Sequence, residues 1–273
     1  MRDEGWAMNP AARRMVVGVV SLVVFLFVSG RALAQERPAK LSVDLGGGVK
    51  MDFVLIQAGS FMMGAEQGEA NERPVHQVKI TKPFYMGAYE VTQAQWRAVM
   101  GENPLALKGD NMPAERVSWE DCEKFVAKLR GKVGQGMICR LPTEAEWEYA
   151  CRAGSQAAYC FGDDEGGLGE YAWCSPGAEG STHPVGQKKP NAWGLYDMHG
   201  NVWEWCADWY DEGYYAKSPV EDPKGPAEGE LRVLRGGAWH VHPVIARSAS
   251  RFRYDPVLRY LSTGCRVVVS AQD

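Results

Sequence analysis

Between Asn191 and Asp211 the chain reads NAWGLYDMHGNVWEWCADWYD, which sets two carboxylates, Asp197 and Glu204, on either side of the turn His199-Gly200-Asn201. An acid pair bracketing a Gly-Asn turn offers hard oxygen donors, and carbonyls of the turn can complete the six to eight oxygens that calcium takes. Trp193, Trp203, Trp205 and Trp209 share the stretch. Rings of that size bury roughly 150–250 Å² each, so the segment is expected inside the protein, where carboxylates need partners. The competing reading is that Asp197 caps a turn and Glu204 pairs with an arginine.

Elements that position this stretch are legible upstream. Thr92 with Gln95, Ser118 with Asp121, and Thr143 with Glu146 each place a hydroxyl at a helix start and a reciprocating side chain three residues on. Gly101 and Gly154 are expected to end the first and third of these helices. Trp119, Cys122, Phe125, Val126 and Leu129 fall on one helical face, as do Trp147, Ala150 and Cys151, so these are packing helices. Strands are expected at 51–56 and 60–63 across an Ala58-Gly59 turn, and at 75–81. Residues 35–50 read as a linker ending in Gly46-Gly47-Gly48, and a single domain is expected over 51–273. From Ser155 onward glycine, proline and aromatics dominate, which describes a loop-rich domain with short strands.

Residues 1–34 read as an export signal: Arg13 and Arg14, an apolar run from Met15 to Val28, then Ala32-Leu33-Ala34 as a cleavage site. The alternative is an uncleaved membrane anchor, although the run is short for a span. The expected location is periplasmic or extracellular. Removing four arginines and two acids with the signal moves the formal charge from −4 to −6. A mildly acidic domain without a Lys/Arg cluster argues against nucleic acid and anionic membrane as partners. Seven cysteines, all after the signal, leave at least one thiol unpaired within the chain.

Several blocks, in order, resemble the formylglycine-generating enzyme family, also called the sulfatase-modifying-factor domain. They are Gly59-Ser60-Phe61-Met62-Met63-Gly64, Tyr89-Glu90-Val91-Thr92, the run from Arg140 to Ala150, the Asn191–Asp211 stretch, and Arg232-Val233-Leu234-Arg235-Gly236-Gly237-Ala238-Trp239. The resemblance covers about Asp52 to Val269. It implies an α+β fold, mixed and loop-rich, with a core similar to C-type lectins. It also implies a structural calcium held by the side chains of Asp197 and Glu204 and the main-chain oxygens of Gly200 and Val202. The family's other calcium site needs an asparagine that residues 175–181, SPGAEGS, lack. Enzymes of this family oxidise a sulfatase cysteine with oxygen at a copper(I) ion held by two cysteines, two and seven residues after the motif tryptophan. Here those places are Val241 and Ala246, and the motif serine is Ala238. Copper is therefore not expected, because soft thiolates are what suit that ion. No catalytic residue is assigned.

His240 and His242 alternate along what reads as an extended segment, so two imidazoles would share one face and offer a copper or zinc pair, with no third ligand in view. In many family members the run 240–263 is rich in asparagine; here it carries aromatic, aliphatic and histidine side chains on a kept frame of Arg247-Ser248-Ala249, Arg253, Asp255-Pro256 and Arg259. It resembles the ligand-displaying surface of variable proteins of diversity-generating retroelements, and rigid rings interspersed with arginine suit a binding surface. The candidate ligand-binding residues are His240, His242, Arg251, Phe252, Tyr254, Leu258, Tyr260 and Leu261. The expected partner is a protein or carbohydrate. The other readings are a sulfatase-modifying oxidase acting on an exported sulfatase with a non-standard site, a structural cell-envelope domain, and an inactive relative whose loop packs on itself.

Overall fold

The computed structural model describes residues 38–101 and 109–272. Residues 1–34, read above as an export signal, lie outside the described residues, and among those described no helix is long and apolar enough to cross a membrane.

Strand β1 (Lys40–Gly46) pairs antiparallel with β2 (Val49–Ile56). This corrects the linker reading of 35–50: Val43 and Leu45 are buried, and Gly47 and Gly48 form a two-residue hairpin loop. Both have positive φ, 63° and 82°, the conformation of the mirror-image turns that match strand twist. Strands β3 (Gly59–Met63) and β4 (His76–Ile80) pair with each other, so the Ala58-Gly59 turn does not fold β3 back onto β2. Next come β5 (Phe84–Gly87), α1 (Gln93–Met100), α2 (Trp119–Leu129), β6 (Met137–Arg140) and α3 (Glu144–Arg152). The loop-rich part holds β7 (Trp203–Trp209), β8 (Arg232–Arg235), β9 (Phe252–Tyr254), β10 (Thr263–Gly264) and β11 (Val268–Ala271).

The main sheet runs β1-β2-β5-β11-β6, and the last strand therefore lies inside it. Alternation in β5 and β11 sends Tyr85 and Val269 to one core and Phe84, Met86 and Val268 to another. Helices α1 and α2 cover the first face through Trp96 and Phe125, whose rings stack at 5.1 Å. Helix α3 covers the second through Trp147 and Ala150. A four-stranded sheet, β10-β7-β8-β9, joins both cores through Trp205 and Leu234 on one side and Cys206 and Val233 on the other.

All three helices begin with the reciprocal capping expected of them. Gly101 closes α1 in a left-handed conformation, whereas α3 closes one residue before Gly154, at Ala153 (φ 46°). Helix α3 is more than an amphipathic packing helix, since every one of its residues is buried. Its acids survive there by pairing: Glu148 with Arg235 and Arg152, Glu144 with Arg251. All seven cysteines are thiols, six of them buried.

Candidate functional site

Residues 191–211 run through the centre of the domain. Asp197 and Asn201 take left-handed φ values of 62° and 64°, a region that Asp and Asn tolerate better than other side chains. Gly200 between them is required by close approach: a Cβ there would lie 2.2 Å from the Trp173 carbonyl oxygen. Asn201 is satisfied on both sides, its Oδ1 accepting from His183 N at 3.0 Å and its Nδ2 donating to Glu90 Oε2 at 2.7 Å.

Glu204 is fully engaged. Arg266 donates to its two oxygens at 2.7–3.1 Å, and Trp147 Nε1 donates at 2.6 Å. Arg266 is itself pinned by the carbonyls of Gly87 and Tyr196. Asp197 is different. Its Oδ2 accepts from Gly186 N at 2.7 Å, but Oδ1 is buried without a partner. Glu90 completes the group, accepting from Val202 N at 3.1 Å. Three buried acids thus interact with one guanidinium, leaving a formal excess of negative charge. Burial pushes the Asp197 carboxyl up to about 6, and burial reinforced by Asp197 holds Glu90 well above the ordinary range. The acids act on each other through space without converging: among the described residues no three His, Cys, Asp or Glu side chains form a metal-holding group. The donor set still fits a hard cation at one point, the orphaned Asp197 oxygen, in a region short of positive charge.

Glu90 and Arg266 are site residues that sequence reasoning missed. Glu90 lies 111 positions from its partner Asn201, and Arg266 lies 62 from Glu204. The one signal is Glu90's place in the Tyr-Glu-Val-Thr block, an acid two residues before a helix cap.

Positions 241 and 246 come together. A Cβ built on Gly237 would sit 3.2 Å from Val241 Cγ2 and 3.1 Å from Ala246 Cβ, and neither side chain carries a donor atom. Beneath them His199 is fixed: Cys160 N donates to Nε2 at 3.1 Å, so Nδ1 carries the proton and donates to the Ala246 carbonyl at 2.8 Å. Cys151, 3.8 Å from this ring, is fully buried with its thiol pushed up to about 12, so the pair is not an activated nucleophile.

The run 240–263 divides. Arg251 does not belong to a surface: it is buried in a two-pronged pair with Glu144 at 2.7 and 2.9 Å and lies over the Tyr215 ring at 4.1 Å. Its planar fork meets a buried carboxylate, a structural use. The histidines do not alternate along a strand either. Val241 N donates back to Ala238 O at 3.1 Å and residues 243–245 form a 3₁₀ turn, so the segment folds instead of extending. His242 is exposed, while His240 is half-buried between Trp239 (5.0 Å) and Tyr260 (6.1 Å). Tyr260 continues to Tyr254 at 5.3 Å, and Phe252 stacks on Trp203 at 5.0 Å. Phe252, Leu258, Tyr260 and Leu261 are 39–46% exposed. The loop beneath them is built rather than loose. Asp255 Oδ1 accepts from Val257 N at 3.1 Å, and Arg259 grips Asp121 at the start of α2 through two bonds of 2.6 and 2.9 Å.

An α+β domain with a lectin-like core, few helices and a central buried acid-arginine cluster defines the scaffold class. Within that class, the chain belongs to the family described as sulfatase-modifying factor enzyme 1-like domain, which it matches over residues 48–271. It is 42% identical to a formylglycine-generating enzyme of Streptomyces coelicolor over 164 residues, 56% of this chain and 50% of that one. It thus spans half the length of that relative. It is 32% identical to chaperone protein LppX of Paenibacillus barcinonensis over 70% of this chain and 79% of that one. Among solved structures, Treponema denticola variable protein 1 superposes with a TM-score of 0.76 at 30% identity, covering 85% of this chain and 99% of that one.

Proposed function

We propose that this chain is an exported, calcium-stabilised binding protein that presents the surface between His240 and Leu261 to a protein or carbohydrate and does not carry out copper-dependent oxidation. One observation carries the reading. Of the nine large apolar side chains exposed among the described residues, seven lie between Val244 and Leu261. Exposed apolar groups scattered singly need no explanation, but concentration on one short stretch marks an interaction surface. The Arg259–Asp121 anchor holds the loop in shape before any partner arrives, which lowers the ordering cost of binding. Similarity to a protein named as variable agrees with a display role.

Calcium would sit against Asp197, with the carbonyls of Gly200 and Val202 as the family resemblance implies, and Glu204 would join the shell by giving up a bond to Arg266 or Trp147. The buried, partnerless Asp197 oxygen and the excess of acid over guanidinium favour this. The ion would neutralise the cluster and do no chemistry. The side chains of Val241 and Ala246 offer no ligand to copper. A second reading, a sulfatase-modifying oxidase, is favoured by identity to formylglycine-generating enzymes such as that of Streptomyces, but family likeness does not carry activity.

The test is capture from an array of extracellular proteins and glycans by the wild type and by Tyr254→Ala and Tyr260→Ala. Each variant is expected to lose about 1–2 kcal/mol of affinity, as central aromatic anchors do, and Tyr260→Ala, the more exposed of the two, to keep the wild-type melting temperature. Retention unchanged in both would remove the proposed surface.

A further inference from the structure

The fold sorts the odd set of cysteines. Cys151 lies against His199 and the Ser248 hydroxyl, Cys174 packs with Tyr159 and Leu168, and Cys206 belongs to the second core. Cys160 is half-exposed. Cys122, Cys139 and Cys265 share the first core, and none of the three is more than 1% exposed.

Backbone contacts bring two of these together. Val117 N donates to Thr263 O at 3.2 Å and the Thr263 hydroxyl donates to Val117 O at 3.0 Å, so the start of α2 runs beside the segment that leads into Cys265. Val91 N donates to Cys265 O at 2.8 Å and fixes that residue from another side. Cys122 sits in the first turn of α2, its N donating to Ser118 O at 3.1 Å, next to the Asp121 that Arg259 grips. The two thiols interact directly: burial holds the Cys122 thiol well above its ordinary range, and the neighbouring Cys265 thiol raises it further. Cys139 feels Cys265 only through space. Strand register sets Cys139 opposite Val269, four residues past Cys265, whereas a disulfide needs Cα atoms within about 7 Å.

We propose that Cys122 and Cys265 close a disulfide under oxidising conditions, joining α2 to the root of the 240–263 loop. In the cell this rests on the export reading, because exported compartments are where disulfides persist. A buried neutral thiol exchanges poorly, since the thiolate is the attacking form, so the bridge closes while the chain folds. One cysteine thiolate attacks a disulfide oxidant such as glutathione disulfide and expels a glutathione thiolate; the second cysteine attacks the mixed disulfide and expels another. One S–S bond forms in the protein and one breaks in the oxidant, which takes two electrons and ends, with the two protons, as two thiols. The loop then has two anchors on α2, the Arg259–Asp121 pair and a covalent one six residues further on. A loop fixed twice before a partner arrives has less ordering left to lose on binding.

The test is to reduce and denature the purified protein, refold it in a mixture of glutathione and glutathione disulfide, and alkylate it in denaturant without reductant. Of seven thiols, the two bridged ones are expected to be protected and the other five to react, and peptide mapping is expected to recover one cross-linked pair, Cys122 with Cys265. Seven reactive thiols, or a bridge between any other two cysteines, would overturn the assignment. The oxidised wild type is expected to melt about 5–10 °C above its reduced form, while the oxidant leaves Cys122→Ser and Cys265→Ser unchanged. Equal melting of the two wild-type forms would overturn the anchoring role. Should a serine variant fail to fold, the thiol count and the map of the wild type still decide. Because refolding supplies its own oxidant, the pairing is tested apart from export: five reactive thiols after refolding but seven in protein harvested directly from the producing cell would overturn the export reading and leave the pairing standing.

Discussion

Asp197 and Glu204 look alike in sequence and differ in structure. Glu204 has every oxygen bonded, so Glu204→Ala would strand Arg266 in the interior and destabilise the protein with or without calcium. Asp197→Asn is the cleaner probe. It keeps an acceptor for Gly186 N and removes one buried charge. With calcium bound, chelation is expected to lower the wild-type melting temperature by about 5–10 °C, the effect of losing a ligand present well above its Kd. The Asn variant is expected to be insensitive to the chelator; equal shifts in both proteins would place calcium elsewhere. Asp121 gives a second residue-scale expectation. The hydrogen bonds of Arg259 lower its carboxyl from the usual 3.8 to about 2. A folded pKa below the unfolded one contributes stability above pH 4, and that contribution is lost as pH falls from about 4 to about 2. Arg259 is largely exposed, so screening limits the pair to about 0.5–1 kcal/mol. Urea midpoints of wild type and Arg259→Met are expected to differ at pH 6 and converge near pH 2. A constant difference would mean that the arginine acts by packing alone.

At the scale of elements, α3 is the member that joins the second core to the charge network. Glu148 has no exposure and faces Arg235 and Arg152, also buried. Removing it leaves two guanidinium groups uncompensated, and Glu148→Ala is expected to cost about 3–5 kcal/mol. Glu170→Ala, which breaks an exposed, solvent-screened pair with Lys189, is expected to leave stability unchanged. Chemical denaturation compares them, and similar losses would show that the α3 network is not buried as described. The helices were legible because capping boxes are local: Thr143 and Glu146 find each other three residues apart. Strand partners were not legible, because β11 enters the sheet between β5 and β6, strands distant from it in sequence. The hairpin of β1 and β2 was hidden by its glycines, which read equally as linker and as mirror-image turn. Arg251 was misread for a related reason. Its neighbours in sequence are surface aromatics, and nothing local announces the buried Glu144 that it meets.

Taken whole, the molecule sets an exposed C-terminal loop on a buried scaffold. Three capped helices, a sheet with a core on each face and a buried acid-arginine centre hold a C-terminal loop that carries most of the exposed apolar side chains. The acid pair at the centre was readable from the sequence because both members sit in one motif; Glu90 and Arg266, which complete the cluster, arrive from opposite ends of the domain. The candidate binding face was readable as a run of rings, whereas its anchoring through Arg259 to α2 became visible only with the fold. Binding without copper chemistry is tested most directly by titrating copper(I) into the reduced protein and assaying conversion of cysteine to formylglycine in a sulfatase-type peptide. No stoichiometric copper binding and no conversion is expected, because positions 241 and 246 offer no thiolate. Tight copper binding with turnover would contradict it and make this chain an oxidase with a rebuilt ligand set.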